Sequence, residues 1–121
     1  MKTYLFSILL LVACSEKKAE TVLSPKDFAA SYQATANAIL LDVRTLKEVG
    51  TGTIANAKNI VYDDVFASKI DTLSHKPLFV YCASGKRSAK AAKILRDKGY
   101  EPVYELSGGL NAWKEAGLPI K

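Results

Sequence analysis

The chain is poor in the residues that hold small or metal-dependent folds together, with two cysteines, one histidine, one tryptophan and one methionine among 121 residues. Cys14 closes a short apolar run near the N-terminus, which leaves Cys82 as the only thiol beyond it. One thiol forms no internal disulfide, and one thiol with one histidine falls short of the donor set of a structural zinc site, so no metal is expected. Cys82 is then either a reactive group or half of an intermolecular bridge. No apolar stretch approaches the roughly 20 residues of a membrane-spanning helix. Repeats and low-complexity tracts are also missing, and the length suits a single domain with a modest core. Nor is there a block of one charge. The formal net charge is +5, or +4 without Lys2 (16 basic against 12 acidic side chains), and the lysines are scattered among acids. That pattern argues against nucleic-acid binding and suits small anionic substrates better.

What the chain does have is a compact unit from Pro77 to Gly99, PLFVYCASGKRSAKAAKILRDKG. Leu78, Phe79, Val80 and Tyr81 form an unbroken apolar run after a proline, as in a strand covered on both faces of a parallel sheet. Ala91, Ala92 and Leu95 then recur at helical spacing, Arg96 and Lys98 fill the last turn, and Gly99 is placed to stop the helix. Cys82 falls where the strand ends and the helix is about to begin. The first N–H groups of a helix have no partner within it, so they favour an anion, and a thiolate is one. Ala83, Ser84, Gly85 and Ser88 are small enough for the loop to curl its amides toward the sulfur, while Lys86 and Arg87 add positive charge. A helix N-terminus and neighbouring cations lower a thiol below its usual ~8.5 and make it nucleophilic. The blander reading treats Cys82 as a small buried apolar residue beside an ordinary turn.

The rest of the chain alternates strands with helices. Thr21 to Leu23 suits a short edge strand, and Ser24, Pro25 and Asp27 give a cap, a first-turn proline and a first-turn acid for a helix to about Ala34. Ala38 to Leu41 reads as a second buried strand ending at Asp42, with a short helical piece at Leu46 to Val49. An extended piece is expected from Ile54 to Ile60, and a helix from Asp63 containing Val65, Phe66 and Ile70. Val103 to Leu106 reads as the last strand, and Gly108 and Gly109 lead into a helix through Trp113 that stops near Gly117. This alternation predicts an α/β fold, a parallel sheet with helices on both faces and a ligand site at the carboxyl ends of its strands.

Residues 1–13 have a lysine at position 2, an apolar run from Tyr4 to Val12 broken only by Ser7, and Ala13 before Cys14, the shape of a signal peptide. LVAC at 11–14 resembles the lipobox of bacterial lipoproteins. The resemblance implies that Cys14 is acylated, becomes the mature N-terminus and anchors the protein in the cell envelope. Residues 15–20, SEKKAE, cannot bury enough surface to order themselves and read as a tether. Ser15 follows the cysteine in place of aspartate, so nothing signals inner-membrane retention, and in a Gram-negative cell the periplasmic side of the outer membrane is implied.

Three stretches of residues 21–121 together resemble the rhodanese domain: LLDVRTLKEVGTGTIANAKNI at 40–60, CASGKRS at 82–88 and LSGGLNAWKEAGLPI at 106–120. The resemblance implies a sulfurtransferase without a cofactor, in which Cys82 carries a persulfide cradled by the amides of Ala83, Ser84, Gly85, Lys86, Arg87 and Ser88. Arg87 would help hold an anionic donor such as thiosulfate, and a small thiophile or a protein thiol would accept the sulfur. Asp42 and Arg44 match the family's aspartate and arginine as supports of the site or simply of the fold, and Arg44 and Glu48 are a candidate pair. Gly108 and Gly109 are expected to shape a turn. A sulfur relay or a docking module for a partner protein has the same loop and stays open as the alternative. Thr53 stands where the family has histidine, Val49 where it has an aromatic residue, and Asn56 where it has glycine. His75, in a polar turn before Pro77, is expected to be exposed, and a preformed thiolate needs no histidine base. The related phosphatases follow a His-Cys-x5-Arg pattern. Here Tyr81 precedes the cysteine, Arg87 comes one residue early and Ser88 holds the arginine's place, so phosphatase activity is not expected.

Overall fold

The computed structural model describes residues 20–121, so the expected signal peptide, Cys14 and most of the tether lie outside the described residues. Five parallel strands form one sheet in the order β1-β5-β4-β2-β3: β1 (Val22–Leu23), β2 (Ile39–Asp42), β3 (Lys58–Asn59), β4 (Leu78–Tyr81) and β5 (Val103–Leu106). Helices α1 (Pro25–Ala34), α2 (Leu46–Val49), α3 (Phe66–Lys69), α4 (Lys86–Asp97) and α5 (Gly109–Glu115) connect them. This is the expected α/β architecture.

The apolar run at 78–81 is central, and its alternation decides which helix each side chain meets. Leu78, Val80 and Cys82 join Phe66, Ile70, Ala91, Ala92 and Leu95 on one face. Phe79 and Tyr81 join Phe28, Leu110 and Trp113 on the other. With α3 and α4 covering one side and α1 and α5 the other, β4 is buried at every position. Chain direction across the sheet reverses between β2 and β4, because β2 leads outward to β3 while β4 leads the other way to β5 and β1. That places the crevice of the fold at the carboxyl ends of β2 and β4, next to Asp42 and Cys82.

Two elements are shorter than the sequence suggests. The piece expected at 54–60 narrows to β3 because the Ala57 N–H turns back to the Ile54 carbonyl at 3.2 Å, with Asn56 at φ 70°. The helix expected from Asp63 begins only at Phe66, since Asp63 Oδ1 accepts the Val65 N–H at 3.0 Å and caps a turn there, and Ile70–Thr72 tightens into a 3-10 turn. Val65 lies outside the helix and is exposed.

Candidate active site

Helix α4 begins without a side-chain cap. Its N-cap is Gly85 at φ 96°, which has no oxygen to offer, so the first amides of the helix need another acceptor. The sulfur of Cys82 takes that place. Sγ accepts the Gly85 N–H at 3.1 Å and the Ser88 N–H at 3.3 Å, and lies 3.4 Å from Ser88 Oγ. Cys82 and Ser88 are both fully buried. Burial pushes the Cys82 thiol up, but the Ser88 hydroxyl and the amides of Ser88, Ser84 and Gly85 outweigh it and hold the thiol below its ordinary value. The group is therefore poised to ionise in a covered, donor-rich niche.

The six consecutive amides expected to cradle the sulfur do not all point to it. The amides of Gly85 and Ser88 donate to the sulfur and that of Ser84 helps to lower its pKa, whereas no hydrogen bond reaches it from the amides of Ala83, Lys86 or Arg87. Ala83 contributes its carbonyl instead. The N–H groups of Leu110 and Asn111 donate to Cys82 O at 2.8 Å and Ala83 O at 3.0 Å, so the start of α5 pins the loop from beneath. This contact explains Gly109 better than a turn does. A Cβ there would stand 2.5 Å from Cys82 O and 2.6 Å from Ala83 C and O, at φ 61°.

Arg44 and Asp42 form a buried ion pair, and the Glu48 carboxylate is not part of it. Arg44 Nε meets both Asp42 oxygens at 3.1 Å, and Nη2 meets Oδ2 at 2.7 Å. Such a pair survives burial only when its remaining donors are used. Here Nη2 also donates to Gly52 O at 2.7 Å and Nη1 to Glu48 O at 3.3 Å, while Asn59 Nδ2 donates to the Asp42 and Arg44 carbonyls, each at 2.9 Å. Burial lowers the Arg44 guanidinium, yet Asp42 more than compensates and its pKa ends raised. Neither residue touches the sulfur. They fix the turn from 44 to 53, and through it the helix that carries Glu48.

The carboxylate of Glu48 pairs not with Arg44, as the sequence suggested, but with Arg87. A capping box with Thr45 holds it, the Glu48 N–H donating to Thr45 Oγ1 at 3.2 Å and the Thr45 N–H to Glu48 Oε1 at 3.1 Å. Its carboxylate then grips Arg87 with two bonds, Nη1 to Oε1 at 2.7 Å and Nη2 to Oε2 at 2.8 Å. Hydrogen bonds from Arg87 bring the Glu48 carboxyl down to about 2 against the effect of burial, with help from Thr45. The Thr-x-x-Glu spacing at 45–48 was a visible signal for the cap; the partner 39 residues away was not.

Of the three departures from the family pattern, two have local explanations. Thr53 Oγ1 lies 2.7 Å from Tyr81 OH, which also accepts the Ile54 N–H at 3.2 Å, so a hydroxyl pair fills the histidine's position. Burial pushes the Tyr81 phenol up to about 12, which keeps it neutral. Asn56, at φ 70°, takes the left-handed conformation that asparagine tolerates nearly as well as glycine. Nothing in the structure explains Val49. His75 is exposed, with its ring stacked on Tyr100 at 4.3 Å. A concavity of about 910 Å³ lined by Thr21, Arg96, Tyr100 and Tyr104 lies at the opposite end of the sheet from Cys82 and shares no residue with the site.

Comparison with known proteins points the same way. A family model described as "Rhodanese-like domain" matches residues 24–116. An uncharacterised protein of Bacillus subtilis, YqhL, is 35% identical over 91 residues, covering 75% of this chain and 70% of its own. A protein of Allochromatium vinosum named as a sulfurtransferase is 34% identical over 86 residues, covering 71% and 80%. Among solved structures, a rhodanese-related protein of Thermoplasma volcanium superimposes with a TM-score of 0.75 at 31% identity, over 84% of this chain and 98% of its own. A protein of unknown function from Rhodopseudomonas palustris, described as a possible tyrosine phosphatase, has a TM-score of 0.72 at 31% identity, over 83% of each chain.

Proposed function

The chain belongs to the rhodanese-like domain family, and on that premise we propose that it is a thiosulfate-type sulfurtransferase working through a Cys82 persulfide. The observation that carries this reading is the sulfur of Cys82 serving as the N-terminal cap of α4, with its thiol held below the ordinary value. In the first half-reaction the thiolate attacks the outer sulfur of thiosulfate. A new S–S bond forms, the donor's S–S bond breaks, and its electron pair leaves on sulfite, so no proton moves. The product Cys82–S–S⁻ is again an anion, and the amides that held the thiolate are placed to hold it. A thiophilic acceptor then attacks the outer sulfur and regenerates the thiolate. The phosphatase alternative is disfavoured by spacing, because an arginine five residues after the cysteine leaves a shorter loop, and here that arginine is already engaged by Glu48.

The protein is further proposed to be held at a membrane by acylated Cys14. What supports this is the lipobox-like LVAC at the end of the N-terminal apolar run. Among the described residues no helix is long and apolar enough to cross a membrane.

The test of the catalytic reading is direct. Mass spectrometry after thiosulfate should find one added sulfur on Cys82, lost on adding cyanide, with ping-pong kinetics for the two substrates and no adduct in Cys82→Ser. Absence of an adduct, together with sulfur transfer that survives in Cys82→Ser, would overturn it.

A further inference from the structure

The mouth of the site holds two cations and one anion, and they are not equivalent. Lys86 is exposed and makes no ion pair among the described residues. Arg87 is half-buried, and its guanidinium pKa is raised most by the hydrogen bonds it donates to Glu48, with the charges of Glu48, Cys82 and Asp42 adding to the effect. The charge of this group is already offset, since one N–H on each terminal nitrogen goes to the two oxygens of one carboxylate.

The pair is also built rather than incidental. Exposed ion pairs between mobile side chains contribute little, since holding both ends costs side-chain entropy. Here Glu48 is fixed by its capping box, its helix is fixed by the Arg44 bond to the Glu48 carbonyl, and Arg44 is locked by buried Asp42. Arg87 sits in the first turn of α4, directly before Ser88, whose amide and hydroxyl serve the sulfur. Arg87 and the donors of the sulfur therefore share one helical turn.

We infer that Glu48 is a specificity-determining residue that offsets the charge of Arg87 in the first turn of the helix capped by the Cys82 sulfur, so that an anionic donor meets a weaker positive field there than the bare guanidinium would give. The inference rests on the sulfurtransferase reading for the identity of the donor, though not for the charge balance at the thiol. Two consequences separate it from a purely structural role. Removing the Glu48 charge should favour anionic over neutral reagents at Cys82, and the gain should require Arg87. Loss of packing alone would change the rates of both reagents alike.

The experiment compares alkylation of Cys82 by iodoacetate, an anion, with alkylation by iodoacetamide, its neutral counterpart, in the mature protein. Glu48→Gln keeps an oxygen for the Thr45 cap while removing the charge. It should raise the iodoacetate-to-iodoacetamide rate ratio by roughly three- to fivefold, the factor that corresponds to an ion pair of this exposure. Arg87→Ala uncovers the carboxylate and should lower the ratio below that of the unmodified protein, and the double variant Glu48→Gln/Arg87→Ala should return it close to the starting value. In the same Glu48→Gln protein the thiosulfate KM should fall while kcat changes less. An unchanged ratio in Glu48→Gln, or a gain that persists in the double variant, overturns the inference. Because alkylation needs no sulfur transfer, the ratio tests the role of Glu48 even if thiosulfate leaves no adduct on Cys82, a result that would count only against the catalytic reading.

Discussion

At the scale of single residues the site is a problem in supplying donors to one buried sulfur, and Ser88 contributes most. Its N–H donates to the sulfur and its hydroxyl lies 3.4 Å away, whereas Gly85 gives one amide. Ser88→Ala keeps the amide and removes the hydroxyl. The Cys82 thiol should then rise toward its ordinary value, because burial, which pushes it up, is opposed by less. The sign follows for reactivity: at any pH below both inflections the thiolate fraction falls, and the alkylation rate there should drop by on the order of tenfold, the worth of one hydrogen bond to a charged group. A plot of iodoacetamide rate against pH checks this, and an inflection that fails to rise in Ser88→Ala would deny the hydroxyl its role. Cys82 and the small residues around it were legible in the sequence because a strand end, small side chains and a helix start are all local. The roles of Ala83, Lys86 and Arg87 were legible only as identities, since which amide faces the sulfur depends on the path of the loop backbone, including the left-handed turn at Gly85.

At the scale of elements, most boundaries followed from local signals: α1 from its serine cap and proline, α4 from its periodicity and Gly99, and β2, β4 and β5 from apolar runs. The exceptions share a cause. β3 and α3 are shortened by backbone turns at Asn56 and Asp63 that compete with extension or helix, and neither turn shows in an apolar pattern. The docking of α5 was equally hidden, because it joins carbonyls at 82 and 83 to amides at 110 and 111. That contact makes Gly109 the tightest glycine of the site. Gly109→Ala should cost about 2–4 kcal/mol, from a Cβ driven into the Cys82 and Ala83 backbone at a left-handed φ. Gly117→Ala is the control: φ is 73° there, but nothing lies within 4 Å of the added carbon, so the cost should be about 1 kcal/mol from the backbone alone. Thermal melts of the two variants measure the difference. Equal losses would mean that the approach of α5 to the nucleophile loop yields easily.

At the scale of the whole molecule, parallel strands give the domain two unlike ends. Cys82, Asp42 and the start of α4 lie at the carboxyl end of the sheet, and β1 runs parallel to β5 and so to β4, which puts Glu20 and Thr21 at the other end. The orientation was implicit in the sequence once the alternation of strands and helices was read, although the strand order was not. It gives the proposed lipid anchor a geometric consequence. Six residues, 15–20, separate Cys14 from the start of the domain and span at most about 20 Å. Anchoring at Cys14 would therefore keep the amino end of the sheet within about 20 Å of the bilayer, with the nucleophile loop at the opposite end of the sheet, the end farther from the point of attachment. Unmodified protein should fractionate with membranes and be released only by detergent, while Cys14→Ala should remain a soluble or unprocessed precursor. Within the anchored protein, Cys82 should react with a small anionic reagent within about twofold of its rate in detergent-released protein, because the loop faces water in both. Normal maturation of Cys14→Ala with retained membrane binding would remove the anchor. Strong slowing of Cys82 only in the membrane-bound form would instead mean that the loop faces the bilayer, against the direction that the parallel sheet imposes.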